Sequence, residues 1–155
     1  MTQELFEKVV IEIFKKFMLT FFRYELKVCN LKDISEDDKH FDEVIFISLF
    51  GNIEGGFVLE VNNETIQKFL NQIHQTMKEE IDFHQLVKGY IGELGNLLAT
   101  RIVTNLNKNF GDTFLSTPSL FTGMGMKVDL FYDTTYKADI DCEFGLFRIS
   151  FSVKE

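Results

Sequence analysis

The chain has no tryptophan, a single proline, only two cysteines and few basic residues. Its 16 lysines and arginines are outnumbered by 24 acidic residues, and the net charge is −8. Nucleic acids and anionic membrane surfaces bind basic proteins, so this balance argues against both as partners. Cys29 and Cys142 form no close-spaced motif, and we expect two reduced thiols in a cytoplasmic protein.

The sequence also lacks a recognisable secretory leader or membrane span. Glu4 and Glu7 stand where a secretory signal has a basic start followed by an apolar run. The apolar stretch 5–22 is interrupted by five charged residues, namely Glu7, Lys8, Glu12, Lys15 and Lys16. We therefore expect no membrane-spanning helix.

Phenylalanine is the residue that the chain has in excess, with 18 copies among 155 residues. Hydrophobic residues make up 45% of the chain, which is enough for one ordinary core at this length. We expect one domain over residues 1–155, with most of the phenylalanine rings buried because large apolar rings gain most from burial.

Hydrophobic periodicity predicts the elements of the first half. Residues 3–22 repeat apolar side chains at steps of three and four, which is typical of an amphipathic helix. A strand is expected over 24–31. The apolar run 43–50 and the segment 57–61 flank turn residues, which predicts an antiparallel hairpin.

Two helices and three strands are predicted to follow. Asn62 or Asn63 can cap a helix that runs to about Met77, and a second helix should run from near Asp82 to about Lys108. The strands are expected near 126–133, 137–144 and 146–153. This order, α-β-β-β-α-α-β-β-β, predicts an α+β fold with helices packed on an antiparallel sheet.

The long second helix of this pair carries an unusual polar face. With about 100° of rotation per residue, Glu93 and Asn96 project together from the side opposite the apolar stripe. Gly89 and Gly92 share that side, although each glycine inside a helix costs roughly 1 kcal/mol relative to alanine. We interpret them as permitting close approach of another surface, whereas Gly95 faces the core.

Glu93 and Asn96 suit the hydrolysis of an acyl phosphate. A carboxamide both donates and accepts hydrogen bonds, so it can orient a water molecule in line with phosphorus. A carboxylate one turn away can pair with a lysine of the partner. The spacing Glu-x-x-Asn is common in helices, so it carries little weight alone.

The segment Glu93–Ala99 (ELGNLLA), followed by Pro118 and Gly123, resembles the CheC/CheX/FliY phosphatase group and most of all CheX. The resemblance covers roughly residues 40–155. It implies that Glu93 forms a salt bridge to the invariant lysine of a phosphorylated CheY-like response regulator, and that Asn96 orients the attacking water.

The resemblance also implies where the other parts of the reaction lie. No cofactor is expected in this chain, because the catalytic Mg²⁺ would belong to the receiver domain. Gly89, Gly92 and Thr100 would contact the partner. Glu12 is followed three residues later by Lys15 and not by asparagine, so one site is expected, and members of this type pair as homodimers through their sheets.

One position departs from the family pattern, which commonly has glycine where this chain has Thr100. This bulkier residue motivates an alternative, in which the domain binds a response regulator or flagellar switch component without catalysis. A third hypothesis is that the protein is a dimeric scaffold without a receiver partner.

The sequence gives little support to the hypothesis of a metal site. His40, His74 and His84 show no ligand spacing. The acidic residues near the C-terminus lack a calcium-loop pattern, so we expect a charged outer strand face instead. They are Asp129, Asp133, Asp139, Asp141 and Glu143.

Overall fold

The computed structural model of the chain describes most residues. The described ranges are 2–32, 40–77, 83–106, 112–126, 128–130 and 132–154. Within the second and third helices, the side chains of some residues are also outside the description: 73–77, 83–88, 90, 105 and 106. The predicted helix ends at Asp82 and Lys108 therefore lie outside the described residues.

The described ranges contain three helices: α1 (Gln3–Phe22), α2 (Asn63–Met77) and α3 (Phe83–Leu106). The Thr2 side chain caps α1 by accepting a hydrogen bond from the Leu5 N–H. At α2 the cap is reciprocal, because Asp42 accepts from the Asn63 N–H while the Asn62 side chain accepts from the Asp42 N–H. These caps satisfy backbone donors that a helix start leaves unpaired.

All strand pairings are antiparallel. The strands are β1 (Cys29–Lys32), β2 (Phe41–Gly51), β3 (Gly55–Val61), β4 (Thr113–Leu115), β5 (Ser119–Met126), β6 (Thr134–Cys142) and β7 (Gly145–Val153). Their order in the sheet is β1-β6-β7-β3-β2-β4, and β5 also pairs with β2. The predicted fold, an antiparallel sheet with helices packed on it, is confirmed.

The core lies between the sheet and the apolar faces of α1 and α3. Phe6 and Phe14 of α1 are fully buried, as is Leu98 of α3. Phe14 packs on Phe147 of β7, with ring centroids 4.9 Å apart. Most phenylalanine side chains of α1 therefore belong to the core, as expected for large apolar rings that gain from burial.

Two strand boundaries differ from the sequence prediction. The strand expected near 126–133 ends at Met126 instead, and residues 128–130 are not in a strand. This segment lies over the sheet face opposite the helices, where Leu130 approaches Gly56. The strand expected over 24–31 begins only at Cys29.

A buried ion pair corrects the expectation of a wholly exposed acidic strand face. Asp139 is 0% exposed, and its carboxylate accepts two hydrogen bonds from Arg148, at 2.8 and 3.0 Å. Phe41 lies 5.5 Å from the Arg148 guanidinium carbon. A buried carboxylate needs such a partner because desolvation of an isolated charge is costly.

Candidate active site

Helix α3 lies close to strand β2 at Gly95. A β-carbon at Gly95 would lie 3.4 Å from Ile45 Cγ2 and 3.5 Å from Ile47 Cδ1. Leu94 and Leu98 are buried beside it. The core-facing interpretation of Gly95 is confirmed, and the close packing fixes which side of α3 faces outward.

The outward side of α3 is open at its other two glycines. Among the described residues, a β-carbon at Gly89 or Gly92 would meet no atom within 4 Å outside the local helix backbone. Packing in the described part of the chain therefore requires neither glycine, although each weakens the helix. The open backbone leaves room for a foreign surface to approach α3.

Four of the sequence-predicted site residues line one shallow depression of about 250 Å³. Its lining residues are Ile45, Gly89, Gly92, Glu93, Asn96, Pro118 and Leu120. Within it, the side chain of Glu93 is exposed and that of Asn96 is half-buried. Helix α3 supplies one wall, and β2, β5 and the residue just before β5 supply the other.

The polar groups of this depression are available for a ligand. Across the part of the chain that the structure describes, neither the Glu93 carboxylate nor the Asn96 amide has a hydrogen-bond or ion-pair partner. An unpaired carboxylate accepts hydrogen bonds from a cation, and an unpaired amide can bind water through both its oxygen and its nitrogen. The pair can therefore bind a cationic group and a water molecule side by side.

The structure places Thr100 apart from the other four residues. Thr100 is exposed one turn further along α3 and does not line the depression. Its backbone carbonyl accepts a hydrogen bond of 2.7 Å from the Thr104 hydroxyl. Because Thr100 follows Asn96 by four residues, it lies on the same side of α3 as Asn96.

Sequence reasoning did not place Ile45, Pro118 and Leu120 in the site. Ile45 of β2 is the register partner of Leu120 of β5, so strand pairing brings both to α3. Pro118 is the residue just before β5. Pro118 carried a signal as part of the family resemblance, whereas the pairing of strands far apart in sequence left no local signal.

The described residues contain no group of three or more histidine, cysteine or acidic side chains that could hold an ion. His40 is exposed, while the side chains of His74 and His84 lie outside the described part. In that same part, no helix is long and apolar enough to cross a membrane.

Solved structures of chemotaxis proteins have the same fold. CheX from Vibrio vulnificus superposes with a TM-score of 0.73 over 99% of both chains, at 14% identity. CheX from Desulfovibrio desulfuricans gives a TM-score of 0.71 at 14% identity and covers 97% of this chain and 99% of its own. A chain of the CheX–CheY–BeF3–Mg²⁺ complex from Borrelia burgdorferi gives 0.70 at 15% identity, over 96% and 97%.

Sequence comparison assigns the family independently of the fold. No curated protein shows a significant sequence match to the chain. The family model for the chemotaxis phosphatase CheX, however, matches residues 44–137, which include the whole of α3 and every residue that lines the depression. The chain therefore belongs to the CheX family of chemotaxis phosphatases.

Proposed function

We propose that this protein hydrolyses the phospho-aspartate of a CheY-like response regulator. The observation that carries the proposal is that Glu93 and Asn96 lie side by side on the open face of α3, and neither has a hydrogen-bond or ion-pair partner among the described residues. Family membership supports the reaction class. The Borrelia burgdorferi relative, which is solved in complex with CheY, supports the class of partner.

Asn96 is the group proposed to act on the reacting water. Its amide holds the water so that the oxygen attacks phosphorus in line with the aspartyl oxygen. The P–O bond to the aspartate breaks, the carboxylate leaves, and inorganic phosphate forms. Little covalent assistance is needed because the carboxylate is a good leaving group, so positioning supplies most of the acceleration.

Glu93 is proposed to dock the receiver. Its exposed carboxylate can reach a lysine ammonium of the partner and form a charge-assisted hydrogen bond. Gly89 and Gly92 let the partner approach the helix backbone. The Mg²⁺ that neutralises the phosphoryl oxygens is proposed to be bound by the receiver. Because the proposed partner is a response regulator, we also propose that this chain acts in the cytoplasm.

We also propose that the protein is a homodimer that pairs through its sheet. Phe50 of β2 and Phe114 of β4 stack with ring centroids 5.7 Å apart, yet they are 50% and 54% exposed. Phe121 of β5 is similarly exposed. Exposed aromatic clusters of this kind favour an interface. Light scattering should give twice the chain mass, and Phe114→Asp should reduce it to one chain.

Decay of a radiolabelled phospho-receiver tests the activity. The proposed function predicts faster release of inorganic phosphate when catalytic amounts of this protein are added to the receiver and Mg²⁺. A decay rate equal to that of the receiver alone would exclude the activity. The choice of receiver matters, so several CheY-like proteins from the same genome should be compared.

The alternative function is a binding module, and the exposed Thr100 on the Asn96 side of α3 motivates it. A threonine side chain there occupies space that glycine would leave to the partner. Binding to a beryllofluoride-activated receiver without faster phosphate release would favour this alternative. Thr100→Gly would then be expected to increase the rate of hydrolysis if close approach is the missing requirement.

A further inference from the structure

The two cysteines lie directly opposite each other in the sheet, although 112 residues separate them in sequence. Cys29 of β1 and Cys142 of β6 are register partners in an antiparallel pair. Both side chains pack on the core beneath α1, so both project from the same face of the sheet.

This placement is compatible with a disulfide bond. Directly opposed residues of antiparallel strands have β-carbons about 4.5–5.5 Å apart. A disulfide requires a Cα separation of about 4.4–6.8 Å and β-carbons about 3.5–4.5 Å apart. Closing the bond therefore needs only a small approach of an edge strand to its single neighbour.

The two thiols differ in access. Cys29 is half-buried at the edge of the sheet, whereas Cys142 is buried. Burial raises the pKa of Cys29, and the charge of Lys15 on α1 opposes that increase. Burial raises the pKa of Cys142 to about 11, although the nearby N–H groups of Phe144 and Gly145 oppose that increase. Access therefore makes Cys29 the thiol that reacts first.

We propose that Cys29 and Cys142 form a dithiol site that reduces a low-molecular-weight disulfide and closes into an intramolecular disulfide. The Cys29 thiolate attacks one sulfur of the oxidant, and the other half leaves as a thiolate. Cys142 then attacks the Cys29 sulfur and releases the second thiolate. Two protein thiols are oxidised, and one disulfide bond of the oxidant is reduced to two thiols, which take up the two protons that the protein thiols lose.

The bond would fix the edge of the sheet. Strand β1 pairs only with β6 in the described sheet, through four register pairs, and its Lys32–Asp141 ion pair is largely exposed. A bond between residues 29 and 142 closes a loop of more than a hundred residues. In the chain-entropy model, loops of this size favour the folded state by on the order of 10³-fold.

This inference does not depend on the proposed phosphatase activity. The dithiol is on β1 and β6, at the end of the sheet opposite to β2 and the depression. The presence or absence of the disulfide bond therefore neither supports nor contradicts the roles proposed for Glu93 and Asn96.

The test uses reduced protein incubated with oxidised glutathione in mildly alkaline buffer. After acid quenching, free thiols are alkylated under denaturing conditions and the intact mass is measured. We expect a species that has lost two hydrogens and takes up no alkylating reagent, with a peptide that joins Cys29 to Cys142. Cys142→Ala should stop at a glutathione adduct on Cys29, and Cys29→Ala should remain largely unmodified.

Urea-unfolded protein is the matched control. If folding aligns the thiols, the equilibrium constant for ring closure should be higher in the folded chain by on the order of 10³-fold. Three results would each overturn the inference: two free thiols in the folded protein, wild type that stops at a glutathione adduct, or ring closure that is no more favourable than in urea.

Discussion

Glu93 is exposed and Asn96 is half-buried, although both line the same depression one turn apart on α3. The difference suits two roles. A group that positions a water molecule benefits from neighbours that restrict its motion, and Pro118 and Leu120 border the same depression as Asn96. A docking carboxylate benefits from reach, which full exposure provides.

Gly92 and Gly95 offer a matched pair of substitutions. Gly92→Leu should fold with unchanged or higher stability, since replacing a helical glycine contributes about 1 kcal/mol and no described atom outside the local helix backbone lies within 4 Å of the new β-carbon. It should nevertheless lower phosphatase activity, because the side chain would stand between α3 and the receiver.

Gly95→Leu should instead lower the free energy of unfolding. Its side chain would collide with Ile45 and Ile47, and overpacking of this kind costs about 1–3 kcal/mol. Urea unfolding and phosphate release measured on both variants separate the two effects. Full activity of Gly92→Leu would show that the receiver does not approach α3 at this point.

Glu93→Gln should weaken docking of the receiver. Loss of a charge-assisted hydrogen bond of about 1.5–3 kcal/mol predicts a roughly 10- to 100-fold increase in KM with a smaller change in kcat. Glu64→Gln, which removes an exposed carboxylate from α2, is the charge-matched control and should leave KM unchanged. A loss confined to kcat would instead assign Glu93 to the chemical step.

The Asp139–Arg148 pair predicts a large single-site effect on stability. Asp139→Ala leaves a buried guanidinium without its bidentate partner and should cost about 3–5 kcal/mol. Asp139→Leu combined with Arg148→Met should recover much of that loss, because an apolar pair needs no compensation for buried charge. Urea unfolding of the variants checks this, and additive losses in the double variant would argue against coupling.

Glu60 should make stability depend on pH. Burial raises the pKa of Glu60 to about 7 from 4.5, although the charges of Arg148 and Lys137 oppose the increase. The folded protein therefore binds this proton more tightly than the unfolded chain does. The tighter proton binding at Glu60 stabilises the folded protein. This stabilisation is fully present below pH 4.5 and is lost as the pH rises towards about 7.

The corresponding variant is Glu60→Gln, which remains neutral at every pH. Wild type should lose stability relative to this variant as the pH rises from 4.5 to about 7. The difference between the two free energies of unfolding, variant minus wild type, should increase by up to about 3 kcal/mol. Urea unfolding across this pH interval gives the difference directly. A difference that stays constant would mean that Glu60 ionises normally in the folded protein.

Local periodicity was sufficient to predict the elements that bury a continuous face. The helix over 3–22 and the hairpin of β2 and β3 agree with the structure within a few residues, because their apolar spacing matches one period throughout. The helical spacing of Glu93 and Asn96 was readable for the same reason. Both follow from geometry within one element.

Long-range pairing explains what could not be predicted. β4 and β5 both pair with β2, and Pro118 lies between them, so the strand over 119–126 depends on a partner far away in sequence. Asp139 was expected at the surface because its strand alternates. Its burial is tolerated because its register partner Arg148 donates two hydrogen bonds to its carboxylate.

The most direct test of the central claim is the single-turnover rate of phosphate release with Asn96→Ala. Loss of one positioned hydrogen-bonding group typically costs about 2.7–4 kcal/mol, so the rate should fall about 10²- to 10³-fold. Receiver binding and the free energy of unfolding should remain close to wild type. A folded, receiver-binding Asn96→Ala protein that releases phosphate at the wild-type rate would contradict the assignment of water positioning to Asn96.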